Sequence, residues 1–152
     1  MSALARLKEL GLDLPPVAVP VAAYVPAVRT GDLVFTSGQL PMVGGQLAQT
    51  GLVGEAVSPE EAKELARTCA LNALAAIDDL VGLDSVVRVV KVVGFVASAA
   101  GFTGQPGVVN GASELFGDVF GDAGRHARSA VGVSALPLGA PVEVEVVVEV
   151  TP

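Results

Sequence analysis

Thirteen residues constrain this chain more than any others: Ser85 to Ala97, read Ser-Val-Val-Arg-Val-Val-Lys-Val-Val-Gly-Phe-Val-Ala. Valines occupy both parities of what must be an extended strand. With strict alternation, Val86, Val90 and Val92 point one way and Val87, Val89 and Val93 the other. A strand apolar on both faces needs cover on both faces. In a chain of 152 residues, enough for one domain, helices can cover one face, and little is left for the second. An apolar sheet face left in water is unstable, so a neighbouring subunit is expected to cover it.

The rest of the chain supplies the helices and partner strands. Ser2 to Leu10 reads as a short amphipathic helix closed by Gly11, within an N-terminal extension over residues 1–20 whose second half is proline-rich and extended. Val21 to Tyr24 is a possible strand start, Leu33 to Ser37 a strand after the turn Thr30-Gly31-Asp32, and Gly44-Gly45 a second turn. Ser58-Pro59-Glu60-Glu61 combines a cap serine, proline at the first helical position and Glu three residues after the cap. Ala62, Leu65, Ala66, Cys69, Ala73, Ala76, Ile77 and Leu80 follow as one helical stripe, which Gly82 ends. A glycine-containing loop spans Ala99 to Gly107, a second helix Val108 to Phe120, and two last strands Ala127 to Ala135 and Val142 to Val150. On pattern alone the class is α+β, in a single domain covering residues 1–152.

Several functions are disfavoured. A net charge of −7 without any cluster of Lys and Arg argues against nucleic acid. One cysteine excludes an internal disulfide and a cysteine zinc cluster, one histidine excludes a multi-histidine metal site within one chain, and no metal is expected. No apolar run has membrane-spanning length, and Met1 to Arg6 does not open a secretory signal, so a cytoplasmic protein without membrane association is expected. No phosphate-binding or dinucleotide glycine motif occurs, and Thr36-Ser37-Gly38-Gln39 is not a nucleophile elbow.

Two late segments carry candidate chemistry. In Arg128-Ser129-Ala130-Val131-Gly132-Val133, alternation puts Arg128, Ala130 and Gly132 on one face. An arginine beside two small residues has room for a ligand, and its guanidinium can hold a carboxylate through two hydrogen bonds. In the last strand Glu143, Glu145 and Glu149 share one face and Val142, Val144, Val146, Val148 and Val150 the other. A carboxylate beside a pocket can accept a proton or orient water. Each residue also has a plainer reading: Arg128 in a salt bridge or at the surface, the glutamates on a solvated face, His126 as a cap or surface residue, Cys69 in the core.

Taken together the segments resemble the reactive-intermediate deaminase family, RidA or YjgF, whose members also carry the older label of L-PSP endoribonuclease or translation inhibitor. The matching stretches are Tyr24 with Ala27-Val28, Gly31 to Pro41, Asn72-Ala73-Leu74, Val89 to Phe95, Val109-Asn110, Ala127 to Val131, Leu136-Pro137 and Val142 to Glu145. Ser37-Gly38-Gln39-Leu40-Pro41 and Ala127-Arg128-Ser129 are the specific ones. The resemblance implies a chorismate-mutase-like mixed six-stranded sheet with two main helices on one face, a homotrimer formed through the open face, and no cofactor. It implies hydrolysis of small 2-imino or enamine acids to 2-oxo acids and ammonia, in clefts between subunits. Arg128 stands where the family arginine binds the substrate carboxylate, and Glu143 where the family glutamate orients water. Tyr24, Gly38, Gln39 and the main chain of Ala130 stand where the cleft is lined. The chain departs from the family at Ala130, often cysteine, at Gly132, often acidic, at His126, commonly proline, and in its longer loop after Ala99. A non-catalytic module that binds a small carboxylate metabolite in the same cleft is the alternative. The ribonuclease or translation-inhibitor reading is opposed by the acidic charge.

Overall fold

Serine caps start the first two helices of the computed structural model, which describes residues 1–17, 20 and 22–152. Helix α1 is Ala3–Glu9, with the Ser2 hydroxyl accepting from the Ala5 N–H at 3.1 Å. Helix α2, Pro59–Val81, starts at Ser58, whose Oγ accepts from Glu61 N at 3.1 Å, and stops at Gly82, φ 80°. Only glycine adopts that conformation without strain. Helix α3, Gln105–Phe120, begins three residues before the expected start, because Pro106 occupies its first turn, where a missing N–H costs nothing.

The strands are β1 (Ala27–Thr30), β2 (Leu33–Thr36), β3 (Met42–Val43), β4 (Gln46–Leu47), β5 (Val86–Ala97), β6 (Ala127–Val133) and β7 (Val142–Val150). The main sheet has five strands in the order β1-β2-β7-β5-β6, with β5 and β6 parallel and the other pairs antiparallel. It is mixed, as expected, but among the described residues it is one strand short of the expected six. The segment Met42 to Leu47 folds back at Gly44-Gly45 into its own two-stranded ribbon, β3-β4. The strand expected from Val21 to Tyr24 does not form over Ala22 to Tyr24, and Val21 lies outside the described residues. Pro26 removes a donor just before β1 starts.

Helices α2 and α3 pack side by side on one sheet face. The core between helices and sheet includes Leu65, Ala73, Ile77, Val92, Val109, Leu115, Phe116 and Val144, all buried. Close approach is built on two glycines. A Cβ on Gly111 of α3 would overlap the Lys63 carbonyl of α2, and one on Gly94 of β5 would overlap Val109. Helix α1 docks at the far end of α3, where Arg6 Nε donates to the Asp118 carbonyl at 2.8 Å.

The valine-rich strand departs from strict alternation. Register shifts between Val86 and Arg88 and between Val89 and Lys91 place Val89 and Val92 together on the helical side. A bulge inserts one residue and so changes the parity beyond it. The opposite sheet face carries no helix. Phe35 and Val131 are 44% and 43% exposed there, with Val28, Val93, Phe95 and Val147 beside them.

Candidate active site

Arg128 lies on edge strand β6 opposite Val92, so its side chain rises on the helical side of the sheet. Its Nη1 donates to Asn110 Oδ1 at 2.7 Å and Ser113 Oγ at 3.2 Å, and its Nη2 to the Pro106 carbonyl at 3.3 Å. All three acceptors are uncharged and come from one face of α3. Among the described residues Arg128 has no carboxylate partner, whereas Arg6, Arg29, Arg67 and Arg125 each have one. A guanidinium has five N–H groups. Three are committed here, leaving Nε–H and one Nη2 hydrogen without an acceptor among the described residues, and Nε and Nη2 are neighbouring nitrogens that a carboxylate can take together. Ala130 and Gly132 continue the same face towards Gln105, whose amide donates to Ser98 Oγ at 3.1 Å and to the Phe102 carbonyl at 2.8 Å.

Glu143 lies on the other face. In β7, Val142, Val144, Val146, Val148 and Val150 are buried and the residues between them are half-buried. Glu143 is opposite Phe95 and Glu145 opposite Val93, on the helix-free side. Burial, then the charge of Glu145, raises the Glu143 carboxyl above its ordinary value. The carboxylate lies over Gly38, where a Cβ would overlap it. Gly38 is held there because Gln39 N donates to the Val144 carbonyl at 2.8 Å and Val144 N to the Gln39 carbonyl at 3.1 Å. The Gln39 side chain is buried, so its backbone does the positioning. Ser37 Oγ donates to the Val25 carbonyl at 2.6 Å and strands the Tyr24 segment alongside, with Tyr24 51% exposed. Asn72 of α2 braces the next residues by donating to the carbonyls of Leu40 and Met42, each at 3.0 Å. Cys69 is buried behind β7, its Sγ 3.7 Å from the Val142 carbonyl, and burial pushes its thiol well up.

Gly38, Gln39 and Glu143 therefore form one group within the chain, with Tyr24 in the segment tied to Ser37, and Arg128 with Ala130 forms another. Strand β5 separates the two groups, which face opposite sides of the sheet. No group of three or more His, Cys, Asp or Glu side chains suited to a metal ion occurs among the described residues.

The model of the family described as Endoribonuclease L-PSP matches residues 16–150. The chain belongs to that family. It is the YjgF/RidA family, with Rid proteins among its structural neighbours. Protein TCP17 of Trypanosoma cruzi is 47% identical over 149 residues, covering 95% of this chain and 92% of that protein. The Agrobacterium tumefaciens protein Atu1372, of unknown function, is 46% identical with a TM-score of 0.91, covering 98% of this chain and 92% of its own. A putative endoribonuclease from Shewanella oneidensis is 30% identical with a TM-score of 0.95, covering 99% and 100%.

Within this L-PSP family chain, the surroundings of Arg128 were not legible in strand alternation. Pro106, Asn110 and Ser113 are spaced to share one helical face, which is the signal that could have found them. His126, expected as a cap or surface residue, meets the carbonyl of Gly124, the last residue of the 3-10 turn Gly121–Gly124, with Nδ1 at 2.6 Å, and is partly buried against Ser113 and Phe116 rather than at the surface.

Proposed function

We propose that the protein hydrolyses small 2-imino or enamine acids to 2-oxo acids and ammonia, in clefts that two subunits complete. The observation carrying this reading is Arg128: a partly buried cation held by neutral acceptors, with two adjacent N–H groups uncommitted. Such an arrangement suits a carboxylate brought by a ligand better than a structural ion pair. Family membership supports the same chemistry.

In this reading Arg128 of one subunit fixes the carboxylate and presents the imine carbon in one orientation. Glu143 of the neighbouring subunit holds a water and takes one of its protons as the oxygen attacks that carbon. The C=N pair moves to nitrogen and gives a carbinolamine. Glu143 returns the proton to nitrogen and then takes the hydroxyl proton as the C–N bond breaks and C=O forms; ammonia leaves, and the carboxyl passes that last proton to water. A carboxyl raised by burial suits both halves of this transfer. In this reading the main-chain carbonyl of Ala130 shares the water. The apolar, helix-free sheet face supports assembly through that face, for which a homotrimer is proposed. No cofactor is required, because a protonated imine is already electrophilic.

The test is release of 2-oxo acid from freshly generated 2-imino acids. Acceleration by the wild type, lost in Arg128→Ala and Glu143→Ala with the oligomer intact, is the expected result. A wild type that binds pyruvate but accelerates nothing, across several substrate sizes, would replace this reading by the carboxylate-binding module.

A further inference from the structure

Arg128 stands at one end of a hydrogen-bond chain whose direction is fixed by its two ends. His126 Nδ1 lies 2.6 Å from the Gly124 carbonyl, which can only accept, so Nδ1 carries the proton. In the neutral ring Nε2 then accepts, and it lies 2.9 Å from Ser113 Oγ. The Ser113 hydroxyl proton therefore points at His126. Its lone pairs are left for Arg128 Nη1, 3.2 Å away, which can only donate. No other order of donors satisfies a neutral ring at both nitrogens. The ring itself is held edge-on to the buried Phe116, centroids 6.0 Å apart and planes at 89°.

We infer that His126 and Ser113 are positioning residues that lock the Arg128 guanidinium, so that its free Nε–H and Nη2–H pair keeps one direction for the substrate carboxylate. This rests on the carboxylate-binding role proposed for Arg128. Asn110 takes the other Nη1 hydrogen and Pro106 one on Nη2, so rotation about the Nε–Cζ bond would break bonds at both terminal nitrogens.

The assignment is read first without substrate. Nitrogen-15 NMR of the labelled oligomer should find the neutral His126 ring as the Nδ1–H tautomer and slow rotation of the Arg128 guanidinium. Ser113→Ala and His126→Ala should each speed that rotation at least several-fold, and Ser113→Thr, which keeps the hydroxyl, should restore it. The dissociation constant for pyruvate should rise about fivefold in either alanine variant, the worth of roughly one hydrogen bond, with kcat at saturation nearly unchanged. On an Arg128→Ala background, His126→Ala should add nothing. Rotation unaffected by either alanine substitution, or a ring found as the Nε2–H tautomer, would overturn the assignment. Slow rotation loosened as expected, in a wild type that does not bind pyruvate, would uphold the positioning role and sink the carboxylate reading instead.

Discussion

In the proposed reading Arg128 offers a carboxylate two N–H groups fixed in one plane, and lysine cannot reproduce that fork. Arg128→Lys should raise KM for imino acids by roughly ten- to a hundredfold with a smaller effect on kcat, measured by steady-state 2-oxo acid release. Glu143 must be ionised to take a proton, and its carboxyl is raised by burial and by Glu145. Activity should therefore fall on the acid side with a midpoint above the ordinary glutamate range, and Glu145→Gln should move that midpoint down. The stability effect has the opposite sign. Between the unfolded and the raised folded value the folded state binds more protons, so stability falls as pH rises through that window. Glu143→Gln should then lower kcat by about a hundred- to ten-thousand-fold while raising the melting temperature at neutral pH by about 1–3 °C. Gly38→Ala separates the same two properties differently. Its methyl group would displace the flexible end of Glu143, so activity should suffer while thermal melting hardly changes.

Helix α3 carries Asn110, Ser113 and the Pro106 carbonyl, so the arginine is only as well placed as the helix. Two glycines set that placement, Gly111 against the Lys63 carbonyl and Gly94 against Val109. Gly111→Ala meets rigid backbone and should cost about 3 kcal/mol or more in urea unfolding. Gly94→Ala meets a side chain and should cost less, but it should weaken pyruvate binding by pushing α3 outwards. Much at this scale was legible beforehand. The Ser58-Pro59 start and Gly82 stop of α2 follow from local capping chemistry, and the alternating glutamates of β7 follow from its pleat. The parity of β5 was not legible, because a bulge is decided by pairing with β7 and leaves no mark among consecutive valines. The sixth strand was expected from the resemblance, whereas prolines flank the segment before β1 and the ribbon β3-β4 turns out of the sheet. Around Arg128 the sequence shows the strand but not the helix face above it, since that contact joins residues far apart in the chain.

On the scale of the molecule, the helix-free sheet face is the one through which we propose that subunits assemble. Phe35 stands in its middle beside Val28 and Val147, and an acidic residue there should prevent apolar contact. Phe35→Glu should shift the protein to monomers in sedimentation velocity and abolish imine hydrolysis, although Phe35 belongs to neither group of site residues. The opposed faces of Arg128 and Glu143 have a genetic corollary. If each cleft draws one residue from each of two subunits, chains made inactive by Arg128→Ala and chains made inactive by Glu143→Gln can rescue one another. Mixed in equal amounts and reassembled, they should recover about a quarter of wild-type clefts, each pairing an intact arginine with an intact glutamate. A cell carrying both defective alleles would then keep an activity that neither allele encodes alone.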